Sequence, residues 1–347
     1  MSRCKLEEFI SYEQPSKYIV DSDQYDDSFE IPVLTAGKSF ILGYTDETNN
    51  IFDNLPVIIF DDFTTSVQFV DFPFKVKSSA MKLLKNTEQA DIKYCYYLLK
   101  FLQHTPENHK RQWLSATSQN IVELPTIEKQ KNIVRKLDKI LEVIDNQNKQ
   151  LELLDEAIKA RFVEMFGDPN IEFKYSSVKF NDLVARMTKG PFGSNMKKDL
   201  FVPKGEDTYK VYIQINAIQK NQSLGEYYIS KEYFDKKVSR FELFPNDYII
   251  TCDGTLGKYL KLDENMEKGV ISPSLLRLTL QNDKINDKYF ENIWDFYMLG
   301  IMKKEARNAC LVHLPSAKKI GEISIPVPPL ELQNQFASFV EEVDKSG

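Results

Sequence analysis

An internal repeat constrains the architecture of this 347-residue chain more than any other feature of its sequence. Five short segments recur in the same order in the second part of the chain, at offsets of 174, 191, 194, 195 and 203 residues. The matched segments are 5–10 with 179–184, 57–62 with 248–253, 78–81 with 272–275, 93–94 with 288–289, and 125–130 with 328–333. Since the offset grows along the chain, the second copy carries insertions. The sequence therefore predicts two related modules.

Within each copy, strand-like runs alternate with turn signals and are followed by a helical pattern. The first copy has predicted strands at 31–34, 39–42 and 56–60 and a helix at 92–102. The second copy has predicted strands at 210–215, 248–250 and 274–278 and a helix at 287–294. The predicted fold class is α+β, with two repeated domains.

Residues 127–166 contain neither Gly nor Pro, and Gly167-Asp168-Pro169 ends this segment. Its apolar positions form a heptad seam of the coiled-coil type, sustained over about four and a half heptads. These positions are Ile133, Leu137, Ile140, Ile144, Leu151, Leu154, Ile158 and Met165. A helix of 40 residues spans about 60 Å, so we expect its apolar stripe to need a second helix.

The second copy begins such a helix at 329–340, but the sequence continues only to Gly347, which predicts a truncated second helix. Two interpretations of the long helix remain open. It is either a structural helical hairpin or a ruler between two binding modules. The predicted division is a first domain at 1–124, the spacer helix at 125–169, a second domain at 170–328 and the start of a second spacer helix at 329–347.

Charge is unevenly distributed over a net charge of −6. Residues 1–124 carry 12 Lys and Arg against 18 Asp and Glu, whereas residues 170–328 carry 24 against 20. Neither module resembles a protein that binds DNA alone through bulk charge. If the chain reads DNA, a partner should supply much of the contact with phosphate.

Composition also bounds the compartment and the metal chemistry. No apolar run is long enough to span a membrane, and the N-terminus lacks the apolar core of a signal peptide. The four cysteines form no Cys-x-x-Cys pair, and the three histidines are isolated, so we expect neither a zinc site nor a disulfide framework. These features favour a reduced cytoplasm.

Sequence motifs for catalysis are missing. Pro328-Pro329 is flanked by Val327 and Leu330, not by the Asn or Asp and the aromatic residue of an adenine methyltransferase. Gly257-Lys258 is followed by Tyr259 and lacks the first glycine of a phosphate-binding loop. The adjacent carboxylates Asp61 and Asp62 are interpreted as part of a solvated turn, not as a metal pair. The chain is therefore expected not to be an enzyme, and the missing motifs nearly exclude a self-sufficient one.

Several segments together resemble the specificity subunits of type I restriction-modification systems. The long helix opens with Pro125-x-x-Glu128-x-Gln130, which is echoed at 328–333, and it ends in the run 161–169. Residues 13–15 with 34–44 look like the start of one type of target-recognition domain, and residues 253–258 look like the strand-end loop of another. The resemblance covers essentially the whole chain.

This resemblance implies a non-catalytic subunit whose two target-recognition domains each read one half of a split sequence in double-stranded DNA. It also implies that the helices set the gap and receive two methyltransferase (modification) subunits, which use S-adenosylmethionine to methylate adenine at N6. A restriction subunit, a motor-nuclease using ATP and Mg²⁺, would join to cleave unmodified DNA. No cofactor is expected in this chain itself.

Candidate base-reading and phosphate-binding residues lie in loops that combine polar side chains, glycine and lysine. In the first module they are Lys38, Ser39, Thr64, Thr65 and Ser66, with Lys75 and Lys77 as phosphate contacts. In the second module they are Thr188, Lys189, Ser194, Asn195, Lys197, Lys198, Gln214, Asn216, Gly254, Thr255 and Lys258. Gln214 and Asn216 are expected to alternate outward on a strand, and residues 254–258 could offer backbone amides to a phosphate. For the loop at 188–198 a solvated surface is the competing interpretation, and for Gln214 and Asn216 a plain sheet surface.

A hypothesis from a different class is a coiled-coil interaction protein that uses both modules as protein surfaces. It predicts no sequence-specific DNA binding even with a methyltransferase present, and the acidic first module is compatible with it.

Aromatic residues such as Phe40, Tyr94 and Trp294 are expected in the core and not at a stacking surface.

Overall fold

The computed structural model describes residues 2–35, 39–106, 110–168, 170–221, 225–308 and 313–345. The chain divides into two compact units, unit 1 (Met1–Gln147) and unit 2 (Asn148–Gly347). Among the described residues, no helix is both long and apolar enough to cross a membrane.

Unit 1 is built from short strands and two helices that precede the long helix. Its elements are β1 (Ser2–Lys5), β2 (Ile10–Glu13), β3 (Ile31–Leu34), β4 (Ile41–Thr45), β5 (Val57–Asp61), β6 (Val67–Val70), β7 (Lys75–Val76), β8 (Met81–Asn86), α1 (Ile92–Leu102), α2 (Gln112–Ser115) and β9 (Ile121–Leu124). The sheets have the orders β2-β8-β5-β6, β4-β3-β7 and β1-β9, and β3 pairs with β7 in parallel. Strand β5 is buried on both faces between the two hydrophobic cores of the unit.

The predicted spacer helix is confirmed as a single helix, α3 (Ile127–Phe166). It contains no helix-breaking residue, and Gly167 follows it with a φ of 92°, a backbone conformation that favours glycine. The glycine accounts for the C-terminal end of the helix, and the absence of Gly and Pro accounts for its unbroken length.

Unit 2 repeats the arrangement with additional elements. These are β10 (Gly167–Asp168), β11 (Glu172–Phe173), β12 (Ser177–Lys179), β13 (Val184–Lys189), β14 (Thr208–Tyr212), α4 (Gln214–Ala217), β15 (Tyr227–Ser230), α5 (Lys231–Tyr233), β16 (Glu242–Leu243), β17 (Tyr248–Thr251), β18 (Tyr259–Lys261), β19 (Gly269–Ile271), β20 (Leu275–Leu280), α6 (Asp287–Ile293), α7 (Leu299–Asn308), α8 (Ala317–Gly321), β21 (Ser324–Pro326) and α9 (Leu330–Asp344). Its sheets have the orders β13-β20-β17-β18, β15-β14-β19-β16 and β12-β21. Strands β14 and β19 pair in parallel, as β3 and β7 do in unit 1.

The shared topology and register confirm the internal repeat. Lys5 pairs with Ile121 in unit 1, and Lys179 pairs with Ser324 in unit 2, which reproduces the offsets of 174 and 203. One predicted match is wrong by a residue. Asp61 pairs with Met81 and Thr251 pairs with Leu275, and Met81 matches Leu275 at the predicted offset of 194. Strand β5 therefore aligns with β17 at an offset of 190, not 191. Both strands are buried throughout, so no alternation of polar and apolar residues indicated the register.

Gln130 explains the motif that opens the long helix in unit 1. Its side chain is fully buried, and its Oε1 accepts the backbone N–H of Asp91 at 2.8 Å. Its Nε2 donates to the carbonyls of Pro125 at 2.8 Å and Gln89 at 3.2 Å. Since Asp91 is the N-cap of α1, this side chain joins the start of α3 to the start of α1.

Gln333 makes the same three hydrogen bonds in unit 2. Its Oε1 accepts the N–H of Asn286, the N-cap of α6, at 2.8 Å. Its Nε2 donates to the carbonyls of Pro328 at 2.8 Å and Lys284 at 3.2 Å. The repeated motif is therefore a repeated structural connection between a module and its spacer helix.

The two ends of the long helix have different surroundings. In unit 2, Phe162 and Phe166 are fully buried, and both rings pack at 5.5 Å from the ring of Phe336 on α9. In unit 1, Ile140 and Ile144 on the predicted seam remain 54% and 46% exposed. Helix α9 thus covers Phe162 and Phe166, which lie beside the end of the seam in unit 2, whereas the middle of the seam stays exposed.

Other local expectations differ from the structure. The predicted strand 210–215 ends at Tyr212, and residues 214–217 form the short helix α4. Asp61 and Asp62 are buried and not solvated, because Asp62 forms an ion pair with Lys82 inside unit 1. Tyr94 and Trp294 are buried, as predicted.

Candidate nucleic-acid interface

Four segments of unit 2 meet at one edge of its sheets. Strands β13 and β17 run antiparallel to β20, so Lys189 and Thr251, which end them, lie opposite the start of β20. The N–H of Ser272, just before β20, donates to the carbonyl of Tyr212 at the end of β14 at 3.0 Å. The loops after β13 and β17 and the turn after β14 therefore converge there.

The loop after β13 is fixed at its base by close backbone packing. The N–H of Gly190 donates to the carbonyl of Leu275 at 2.8 Å. A Cβ at Gly190 would lie 2.0 Å from the carbonyl oxygen of Ser272, so only glycine fits there without a backbone shift. Pro191 is buried next to it. The loop is thus anchored at its base while its following residues project into solvent.

Substituting Gly190→Ala is expected to lower the free energy of unfolding by about 1–3 kcal/mol, because the backbone at Ser272 must move to admit the methyl group. Differential scanning calorimetry would measure this change. Gly193→Ala in the same loop is the matched control, since a Cβ there meets nothing within 4 Å. Equal unfolding temperatures for the two variants would contradict the close-packing argument.

The loop between β17 and β18 is held by the Thr251 hydroxyl, which accepts the N–H of Lys258 at 3.0 Å and donates to the carbonyl of Thr255. The N–H of Gly257 donates to the Thr251 carbonyl at 2.9 Å. These bonds occupy the amides of Gly257 and Lys258, so the amides of Gly254, Thr255 and Leu256 remain as candidates to face a phosphate. Gly254 and Thr255 are exposed, and Leu256 is half-buried.

The predicted lysines of unit 2 are exposed on these loops. Lys189, Lys197, Lys198 and Lys258 make no ion pair with any residue that the structure describes. Ser194 is exposed, and Asn195 is half-buried with its carbonyl accepting a hydrogen bond from the Tyr233 hydroxyl at 3.0 Å. Four unpaired cations on anchored loops suit contacts with a polyanion.

Thr188 and Gln214 are half-buried at the same edge, Thr188 near the end of β13 and Gln214 on α4. A Cβ at Gly254 would lie 4.0 Å from the Nε2 of Gln214, so the turn after β14 and the loop after β17 are neighbours. Asn216 lies on α4 and donates to the carbonyl of Gly225. The expected outward strand alternation of Gln214 and Asn216 is wrong, because the extended pairing ends at Tyr212.

In unit 1 the structure removes Thr65 as a candidate base reader. Its side chain is buried, and its hydroxyl donates to the carbonyl of His104 at 2.6 Å. Thr64, on the same β5–β6 turn, is exposed, Ser66 is half-buried, and Ser39, before β4, is exposed. Lys38 lies outside the described residues. The turn follows β5 at the sheet edge that corresponds to the loop after β17.

Lys75 is also removed from the candidate phosphate contacts. It is buried, with its ammonium 2.5 Å from a carboxylate oxygen of Glu47 and 3.0 Å from the carbonyl of Asn49. Lys77 is partly exposed but forms an ion pair with Asp23. The side chain of Lys75 therefore stabilises the interior of unit 1, and Lys77 would have to leave Asp23 to bind a phosphate.

Phe192 and Arg240 also lie at this interface, although neither was among the predicted site residues. The Phe192 side chain is 80% exposed, and it shares an open cavity of about 350 Å³ with Thr188, Lys189 and Arg240. For Phe192 the available signal was an aromatic residue in a loop between two glycines. Arg240 is 48 residues away in sequence, and nothing local indicates the proximity.

The side chains at this edge of the sheets in unit 2 can bind a ligand by hydrogen bonds and charge. Cys252 lies at the end of β17, but it is buried, and burial raises the pKa of its thiol to about 12. A thiol of this kind stays protonated and unreactive at neutral pH. No group of three or more metal-ligating side chains occurs among the described residues. The exposed groups are amides, hydroxyls and ammonium groups, which can read base edges and bind phosphates.

Two copies of one mixed helix-and-strand module, each presenting loops at the same sheet edge, define a protein with two recognition modules. Comparison with known proteins places it more closely. A family described as the type I restriction modification DNA specificity domain matches residues 192–346. The Escherichia coli type I restriction enzyme EcoR124I/EcoR124II specificity subunit is 40% identical over 368 aligned positions, which cover 98% of this chain and 85% of that protein.

The chain therefore belongs to the family of type I restriction enzyme specificity subunits. A crystal structure of the type I restriction-modification S subunit from M. genitalium has the same fold, with a TM-score of 0.59 at 13% identity. That match covers 99% of this chain and 89% of the other. Members of this family are DNA-recognition components without catalytic activity, so the chain is a non-catalytic subunit.

Proposed function

We propose that this chain reads a DNA target in two parts, one part with each unit, and positions two methyltransferase subunits for adenine N6 methylation. One observation carries the proposal: the duplicated module presents loops at the equivalent sheet edge in both units. Two related readers suit a target with two short specified halves. The helix α3 would set the unspecified gap between them.

Partner subunits would supply what this chain lacks. The exposed apolar residues of α3, such as Ile140 and Ile144 in unit 1 and Leu151 in unit 2, suit a protein partner. The methyltransferase subunits would bind S-adenosylmethionine, and a restriction subunit using ATP and Mg²⁺ would cleave unmodified DNA. The scattered free cysteines support a location in the cytoplasm.

The same exposed apolar residues also favour the second candidate function, a coiled-coil interaction protein without sequence-specific DNA binding. The acidic balance of residues 1–124 agrees with it. The exposed, unpaired lysines of unit 2 favour DNA instead. The two functions differ in a measurable outcome, which is whether a complex of this chain with a methyltransferase modifies DNA at a defined sequence.

We expect co-expression with a cognate methyltransferase subunit, in a host without adenine methylation, to produce N6-methyladenine in a split motif. Single-molecule sequencing would map two short specified halves around a fixed gap. Co-purification without methylation would favour the interaction protein. Neither methylation nor a complex would contradict the proposed function.

A further inference from the structure

The Phe192 side chain is exposed on a loop whose base is rigid. The ring is 80% exposed, although the preceding Pro191 is buried and Gly190 is hydrogen-bonded to Leu275. Since the anchored base fixes where the loop projects, the ring is presented to solvent at a defined place. Exposure of a single apolar side chain is common on protein surfaces, so the groups next to this ring decide what it can contact.

Two cations line the cavity beside this ring. The open cavity beside it is lined by Lys189, Arg240 and the face of Phe241, and none of its lining residues is acidic. The guanidinium of Arg240 lies 4.5 Å from the centre of the Phe241 ring, which holds it at the cavity. An aromatic ring beside two exposed cations fits a stacked polyanion better than an apolar protein surface, because the cations would lose hydration against such a surface.

We propose that Phe192 is a wedge that inserts between two stacked bases at the edge of the DNA half-site read by unit 2, while Lys189 and Arg240 bind the flanking phosphates. This inference rests on the proposed function and adds a mechanism to it. Apolar side chains that enter a base step unstack it and bend the duplex, which makes recognition depend on how easily that step deforms. Phe192 thus adds specificity without a hydrogen bond to a base.

The internal repeat limits the wedge to one half-site. Strands β8 and β20 match at an offset of 194, so Leu83 is equivalent to Arg277. Glu13 pairs with Leu83 and Thr188 pairs with Arg277, so Glu13 and Thr188 are equivalent at an offset of 175. In unit 1 the residues after Glu13 form a short 3-10 helix (Pro15–Tyr18), in which Lys17 pairs with Glu13 at 3.1 Å and the one aromatic residue, Tyr18, is buried. This helix therefore presents no exposed aromatic ring that could intercalate. We therefore expect unstacking in the half-site of unit 2 and not at the equivalent position of the other.

The test uses the complex of the full chain with its methyltransferase subunits and the duplex identified by methylation mapping. 2-Aminopurine, which brightens when it is unstacked, is placed at successive positions of both half-sites. The wild-type complex should brighten one step in the half-site of unit 2. Phe192→Ala should remove that signal and weaken binding about 5- to 150-fold, the range for loss of one base–aromatic stack. Phe192→Trp should retain both the fluorescence signal and the binding affinity.

Ile171→Ala is the matched control, because Ile171 is 85% exposed in the same unit and outside the candidate loops. Unchanged affinity and an unchanged fluorescence signal in Phe192→Ala would overturn the wedge, while split-motif methylation by the wild type would leave the proposed function standing. Loss of methyltransferase binding with an intact fluorescence pattern would assign Phe192 to a protein contact and also overturn it. A wild-type complex that methylates no defined sequence would overturn the proposed function, and the wedge with it.

Discussion

Gln333→Ala is expected to lower the free energy of unfolding of unit 2 by about 3 kcal/mol, because it removes three hydrogen bonds from a fully buried side chain. The N–H of Asn286 and the carbonyls of Lys284 and Pro328 would all lose their partner. Calorimetry should show the transition of unit 2 about 6–12 °C lower.

Gln335→Ala on the same helix is the control, since Gln335 is exposed and should change stability by less than about 0.5 kcal/mol. Gln130→Ala should destabilise unit 1 to a similar extent, because Gln130 makes three hydrogen bonds of the same lengths to the equivalent backbone groups of unit 1. A stability loss for Gln333→Ala no larger than that for Gln335→Ala would show that the motif does not hold the module to its helix.

Lys82→Met is expected to destabilise unit 1 by about 3–5 kcal/mol, because it leaves the carboxylate of Asp62 buried without a counter-charge. Both side chains are 1% exposed, and the ammonium lies 3.1 Å from the carboxylate. Neither Oδ2 of Asp62 nor Nζ of Lys82 makes a hydrogen bond with a described residue, so charge attraction holds the pair. Urea unfolding of the full chain, followed by a probe of unit 1 such as the fluorescence of the buried Trp113, would measure the loss.

The double variant Asp62→Asn with Lys82→Met should recover part of that loss, since no net charge is then buried and Oδ1 of residue 62 can still accept the N–H of Trp113. Lys93→Met is the control, because Lys93 pairs with Asp138 at 2.8 Å but both side chains are more than a third exposed. Screening by water limits its effect to about 1 kcal/mol or less. Similar losses for Lys82→Met and Lys93→Met would contradict the claim that burial makes the first pair important.

Local sequence patterns were sufficient to predict the internal repeat and the long helix. The segment 127–166 has no helix breaker and ends at a glycine, and the structure contains the helix with those bounds. The order of the matched segments predicted two modules, and their sheets share one topology. These features depend on residues close together in sequence, which a pattern can indicate.

The candidate interface was predicted only in part, because the exposure of a polar side chain depends on its distant neighbours. Lys75 and Thr65 have the composition of binding residues, but Glu47 and His104 approach them from elsewhere in the chain and bury them. Gln214 follows a β-like run, yet the pairing with β19 ends at Tyr212.

The sequence by itself determined the duplication, the α+β class and the helix between the copies, because hydrophobic periodicity, turn residues and helix breakers act over a few residues. Only the tertiary structure decided the offset of 190 for β5, the role of Gln130 and Gln333, and the place of Phe192 beside Arg240. Each of these depends on which strands pair and which loops meet at a sheet edge. Contacts of that kind join residues tens of positions apart, and no local pattern encodes their distances.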